Sequence, residues 1–186
     1  VAHPDTPWRS LKELMEDVKN RPGEIKMGST GPGGLPYVVG AMLGTQGEFN
    51  IIPVPFDGDG PAITALLGGH VDFLPSGYTA TSEHIRAGRL RALAVVNDEE
   101  IELLPGIPPL TQDYPAFKKF LPWGPFYGVF VRADVPNDVK AKLTSVFKKA
   151  ATDKSFVDLM ANRGNVIMNM TGNEAVDFLA KWQQVT

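Results

Sequence analysis

The first apolar residues along the chain recur at helical spacing. Leu11, Leu14, Met15 and Val18 stand at i, i+3, i+4 and i+7, which places them on one stripe of a 3.6-residue turn. Ser10-Leu11-Lys12-Glu13 opens that stripe as a capping box, with the Ser hydroxyl accepting from the Glu13 amide and Glu13 reaching back. Asn20-Arg21-Pro22-Gly23 closes it. The pattern then turns to period two: Ile25 and Met27 alternate with polar neighbours over 24–28 and predict a short strand. A glycine-rich turn, Gly28 to Gly34, leads into a helix with Leu35, Val38, Val39, Met42 and Leu43 on its apolar face. Residues 50–54 predict a second strand and Pro55–Gly60 a loop. Pro61 suits the first residue of a helix, which Ile63, Leu66 and Leu67 bury and Gly68-Gly69 ends. A short strand at 71–74, a helix reaching about Ala87 and a strand at 91–96 complete the series.

Strand and helix alternate over this part with short connections, which calls for a mostly parallel sheet covered by helices, an α/β fold. Residues 97–122 break the rhythm, because Pro105, Pro108, Pro109, Pro115 and Pro122 interrupt any long element. Beyond them, 126–132 predicts an apolar strand. One helix is marked by Val139, Leu143, Val146, Phe147 and Ala150, and another by Phe156, Val157, Leu159 and Met160. Residues 165–170 look strand-like, and Thr171-Gly172-Asn173-Glu174 is a second capping box before a last helix. The final sixty or so residues hold too few strands for a sheet of their own, so they belong to a larger element.

Composition narrows the functional classes. The 186 residues carry 18 Lys and Arg against 21 Asp and Glu, a net charge of −3, which argues against a nucleic-acid binder with a concentrated basic face. With 43% apolar and 21% charged residues the chain is globular. It has no cysteine, so disulfides, thiol catalysis and Cys-ligated zinc are excluded. No apolar run approaches the length of a membrane-spanning helix. The opening Val1-Ala2-His3-Pro4 has neither an initiating Met nor a signal peptide's apolar region, and the expectation is a mature or trimmed product.

The loop Gly28-Ser29-Thr30-Gly31-Pro32-Gly33-Gly34 is the leading candidate site. It joins the carboxyl end of a strand to the start of a helix, where ligands bind in open parallel sheets. Free backbone amides there meet the positive end of a helix dipole, and Ser29 and Thr30 add hydroxyls. A tight turn without a ligand accounts for the glycines equally well. The loop lacks the Gly-Lys-[Ser/Thr] ending of a phosphate loop and does not match the dinucleotide fingerprint. Asp57 and Asp59 in the second strand-to-helix loop do not continue into a calcium loop and read as turn formers. His3, His70 and His84 form no metal or triad pattern, His70 reading as a solvent-facing turn residue and His84 as part of an ordinary helix face. Asp72, near a strand start, reads as a tie to backbone. Trp123, Phe126 and Tyr127 read as core beside a crossing. No general base and nucleophile pair stands out, so no enzymatic activity, cofactor or metal is expected.

Taken in order, these segments resemble the periplasmic substrate-binding proteins of tripartite tricarboxylate transporters, the Bug receptors. The resemblance rests on residues 7–14, Arg21-Pro22-Gly23, the loop 28–34, Val54-Pro55-Phe56-Asp57-Gly58, residues 67–72, residues 87–95 and Leu104-Pro105-Gly106-Ile107-Pro108. It implies a type II periplasmic-binding-protein fold: a two-lobed receptor, not an enzyme, that captures a small carboxylate for a membrane permease. The carboxylate would be a di- or tricarboxylate, an acidic amino acid or an aromatic acid. Residues 1–122 would form the second, inserted lobe, and residues 123–186 the crossing strand and returning part of the first. The family's N-terminal portion has no counterpart here, and a chain so trimmed is expected to self-associate.

By the same resemblance Ser29, Thr30, Gly31, Gly33 and Gly34 match the loop that holds a ligand carboxylate, and Ser76 adds a contact. Phe56 stands where Tyr is common, Asp57 where Lys is common, and Leu35-Pro36-Tyr37 where a His often follows. Two other classes fit a two-lobed or α/β plan: an effector-sensing domain of a transcription regulator, and a small α/β enzyme acting on a phosphorylated substrate.

Overall fold

The computed structural model describes residues 1–47, 50–121, 124 and 126–185. The chain divides into two compact units, Val1–Gly124 and Pro125–Thr186.

In the first unit, α1 (Leu11–Asn20) buries the four residues of its apolar stripe, and Glu13 N–H donates to Ser10 Oγ at 3.2 Å. The second half of the capping box differs from the expectation. Glu13 Oε2 accepts from the amide of Arg9 at 2.6 Å, one residue before the cap. The strands β1 (Lys26–Ser29) and β2 (Ile52–Pro55) pair in parallel. The layer continues through single bridges: Met27 runs parallel to Phe73, and Ala2 lies antiparallel between Phe73 and Arg91. Val95 is bridged in parallel to Pro109. The sheet is therefore mostly parallel, with the first residues of the chain inserted against its direction.

Helices cover both faces of this layer, as buried strands require. One core gathers α1, Met27, Phe73, Leu93, Leu110 and Phe117 with Val39 and Leu43 of α2 (Leu35–Gly47). The other gathers Val71, Leu74 and Leu90 with Ala62, Ile63 and Leu66 of α3 (Asp59–Leu67). Pro61 is thus the third residue of its helix rather than the first. The next helix, α4, runs from Tyr78 to Arg86. On β1, a Cβ at Gly28 would crowd Leu74, lying 3.1 Å from its Cδ1.

The strand β2 lies at the free edge. Phe56 N–H donates to Ser29 O at 2.7 Å, so alternation along the strand turns the nitrogens of Pro53 and Pro55 outward. Proline there removes the donors that an open edge would otherwise present to another strand.

Residues 97–121 are not a bare connection. The short helix α5 (Leu110–Asp113) and a 3-10 turn over Pro115–Phe120 deliver Leu110 and Phe117 into the first core. Pro115 opens the 3-10 turn, where its missing N–H is no loss.

The second unit holds α6 (Asn137–Ala151), α7 (Lys154–Asn162) and α8 (Asn173–Val185). The expected capping box before α8 is half formed, through Thr171 N–H to Glu174 Oε2 at 3.5 Å. The segments 126–132 and 165–170, expected as strands, enter no ladder, and Asn169 has a left-handed φ of +49° that breaks any strand there. Phe126 packs edge-on against Phe178 and Trp182, with centroids 5.6 and 5.3 Å away. Tyr127 is 91% exposed, contrary to its reading as core, because neighbours in an extended chain point to opposite sides. Trp123 lies outside the described residues.

Candidate functional site

The strands set the site by their register. Lys26 pairs with Ile52 and Ser29 with Pro55, while Met27 pairs with Phe73. Carried a residue past Ser29, this register brings Thr30, Phe56 and Ser76 abreast beyond the carboxyl ends of β1, β2 and the run 71–74, which joins β1 by the single bridge at Phe73. Each strand is followed by a helix, α2, α3 or α4, so three helix starts face the same edge. This is the edge at which open α/β sheets bind ligands.

The glycines of the first loop are required for two different reasons. Gly31 and Gly33 have φ of +90° and +80° with open space where a Cβ would sit, so their need is conformational. Gly34 has no such angle, but a Cβ on it would fall 2.3 Å from Thr30 Oγ1 and 3.2 Å from Gly31 O. Its need is steric. Gly34 O accepts from Val38 N–H at 3.0 Å and so starts α2.

Of the two hydroxyls, Ser29 is fully buried, and its Oγ accepts from Gly31 N–H at 3.2 Å. Ser29 thus shapes the loop, while Thr30 beside it is partly exposed and makes no hydrogen bond among the described residues. Gly34 N–H donates to Gly31 O at 3.1 Å. The amides of Gly33 and Leu35 have no partner among the described residues and stand at the positive end of α2, whose first turn holds no acidic residue.

Phe56 is half-buried against the second core, so part of its ring remains at the edge. Ser76 Oγ is buried without a hydrogen-bond partner among the described residues. An unsatisfied buried hydroxyl costs about 1–3 kcal/mol, a debt that a polar ligand would cancel. Gly77 and Tyr78, which follow it into α4, escaped the sequence reading; the strand–Pro–Ser–Gly–helix junction was the available signal. None of the three edge loops, 28–34, 55–60 and 75–80, contains Lys, Arg or His, and Asp57 and Asp59 are exposed. What this edge offers an anion is therefore amides, hydroxyls and helix dipoles.

Other polar residues have structural work. Asp72 Oδ2 accepts from Lys26 N–H at 2.7 Å and lengthens the pairing of β1 with its neighbour. His70 is exposed. His84 lies on α4 with its Nδ1 buried and unpartnered among the described residues. A separate open groove of about 460 Å³ runs between α2 and β2, past Met27, Tyr37, Gly40, Gly44, Ile51 and Pro53.

The model of the tripartite tricarboxylate transporter family receptor matches residues 1–185. The chain belongs to that family. It is 27% identical over 181 residues to BugT of Bordetella pertussis, covering 97% of this chain and 54% of that protein. Among solved structures it is similar to the periplasmic binding protein BugD, with 25% identity and a TM-score of 0.79 over 99% of this chain and 62% of that one. It is also similar to MatC from Rhodopseudomonas palustris with bound malate, with 18% identity and a TM-score of 0.81 over 99% and 63% of the two chains. The chain spans about half the length of the curated relatives it matches. The fold is thus that of periplasmic solute-binding proteins.

Proposed function

We propose that this chain carries the ligand-gripping edge of an extracytoplasmic solute receptor, which captures a small carboxylate in the periplasm and hands it to a membrane permease. In this reading residues 1–122 are the inserted lobe, and residues 123–186 are the crossing strand and returning part of the first. The observation that carries the reading is the edge at Thr30, Phe56 and Ser76, free of cationic side chains in its three loops, where unspent amides at the start of α2 face an open loop. Malate in MatC supports a dicarboxylate as the first ligand to try.

One carboxylate of the ligand sits over the Gly33 and Leu35 amides, with the Thr30 hydroxyl donating and Ser76 Oγ gaining its missing partner. The dipole of α2 contributes about 0.3–1 kcal/mol, and the charge-assisted hydrogen bonds add to it. Phe56 offers an apolar surface to the carbon skeleton, and Asp57 and Asp59 oppose ligands with a third negative charge. Gly31 and Ser29 hold the loop in shape and need not touch the ligand.

Titration calorimetry with malate, adipate, citrate, glutamate, benzoate and inorganic phosphate tests this reading. It is best done on the chain extended to its relatives' length, so that both lobes are present. Binding of a carboxylate that Thr30→Ala and Ser76→Ala each weaken several-fold is the expected result. Binding of phosphate alone, or carboxylate binding untouched by both variants, would overturn it.

A further inference from the structure

Of the seven described helices longer than eight residues, five carry a carboxylate of their own at the start. Glu13 stands in the first turn of α1, Asp59 in that of α3, Asp138 in that of α6 and Glu174 in that of α8, while Asp153 caps α7. A negative charge there offsets the positive end of the helix dipole. The two helices that begin beside Thr30 and Ser76 lack one, since the first turns of α2 and α4 hold no acidic residue. At its other end α4 has Arg86, paired with Glu83 at 2.7 Å. No such support exists in α2. Its thirteen residues include no charged side chain, so it has neither an ion pair along its surface nor a basic residue in its last turn.

The interior of α2 is also poor in helix formers. A glycine in place of alanine lowers the ratio of formed to open helix by about fivefold, and α2 has two, Gly40 and Gly44. Gly40 is fixed by packing, because a Cβ there would collide with Met27 Sδ. Val38 and Val39 lose side-chain freedom against the preceding turn. Burial of Val39 and Leu43 in the first core holds the helix, while Ala41 and Thr45 lie exposed on its other side. Its amino end therefore rests on packing alone, with the Gly33 and Leu35 amides left over.

On the carboxylate reading above, we propose that α2 is only partly formed in the free receptor and that the ligand completes it. The bound carboxylate supplies the negative charge that the first turn lacks. The same amides are grip and helix start, so binding and helix formation are one equilibrium. Apparent affinity then scales with the fraction of α2 already formed, and residues that touch no ligand set it.

Amide hydrogen exchange and calorimetry on the chain extended to its relatives' length, with and without millimolar malate, adipate or glutamate, test the proposal. In the free protein the amides of 38–46 should exchange at least about tenfold faster than those of α1, and a carboxylate that binds should slow them selectively. Ala41→Gly, at an exposed position, should weaken binding about two- to fivefold. Gly44→Ala, which faces the open groove beside β2, should slow exchange in the free protein and tighten binding. Glu16→Gly on the exposed side of α1 should leave affinity unchanged. The proposal is overturned if α2 is as protected as α1 without ligand, or if a carboxylate binds with an affinity that neither α2 variant moves. An equal loss from Glu16→Gly would also overturn it, since general destabilisation would then explain the effect. Those outcomes leave the carboxylate reading standing, whereas failure of all three carboxylates to bind would remove the reading and this proposal together.

Discussion

Arg91 offers the sharpest test of how the first unit is held together. Its backbone pairs with Ala2 in both directions, at 2.8 and 2.9 Å, and its guanidinium reaches over the segment leading into α1. Nη1 donates to the carbonyls of Trp8 at 2.8 Å and Thr6 at 3.2 Å, and Nη2 donates to that of Pro4 at 2.9 Å. Hydrogen bonds to a charged donor contribute about 1.5–3 kcal/mol each. Three on one side chain are correlated, and water reaches part of the segment, so their full sum will not appear. Arg91→Leu should cost about 3 kcal/mol, which for a chain of this size lowers Tm by about 6–12 °C. Arg91→Lys keeps the charge but replaces a planar fork with a single point of contact, and should cost about half as much. Urea unfolding followed by Trp fluorescence reports the loss, because Trp8 is 3% exposed and sits under the clamp. A midpoint shift at constant m-value is the expected form. If Arg91→Leu lost less than about 1 kcal/mol, the three carbonyls would be satisfied without the guanidinium, and the clamp would be incidental.

The glycine loop separates two mechanisms. Gly34→Ala should cost about 1 kcal/mol by displacing Thr30, and that cost should shrink in a Thr30→Ala background, with Gly31 O at 3.2 Å left as the remaining close contact. Gly31→Ala and Gly33→Ala should each cost about 1–2 kcal/mol whatever stands at position 30, since their penalty is conformational; urea midpoints decide both cases. Asp17 accepts from both Arg21 and Trp8, and the Arg21 hydrogen bonds, foremost, with that of Trp8 hold its carboxyl below the usual 3.8. Its stabilising share is therefore present above that value and lost as pH falls through the lower folded one, so wild type and Asp17→Asn should converge in Tm toward acid.

What could be read from the sequence followed from periodicity, and what could not depended on register and cover. The stripe of α1 was legible because Leu11, Leu14, Met15 and Val18 all face one core, and the same four are buried. The run at 71–74 was legible as buried, but it joins the layer only by single bridges at Phe73 rather than as the expected strand, and the antiparallel bridge of Ala2 beside it has no period to detect. Likewise the loop at 28–34 announced itself by composition. That Thr30, Phe56 and Ser76 stand level did not, because it depends on offsets between strands that only the paired backbone fixes. Ser29 shows the limit within a single loop. By residue type it matches Thr30, yet it shares the inward side of β1 with Met27 and is buried with it, so its hydroxyl serves Gly31 instead of the edge.

The second unit shows the converse. The apolar stripe of α6, from Val139 through Leu143 to Phe147, was plain in the sequence, yet Val139, Val146 and Phe147 remain 41–51% exposed. A hydrophobic pattern states which face needs cover and says nothing about which polypeptide supplies it. The two units therefore differ in kind. The first closes its own cores on both faces of a sheet. The second leaves none of its described residues from 126 onward buried. The proposed grip, built of amides, hydroxyls and a helix start, draws all its residues from the first unit, and the geometry of its loop should persist whatever comes to cover the second.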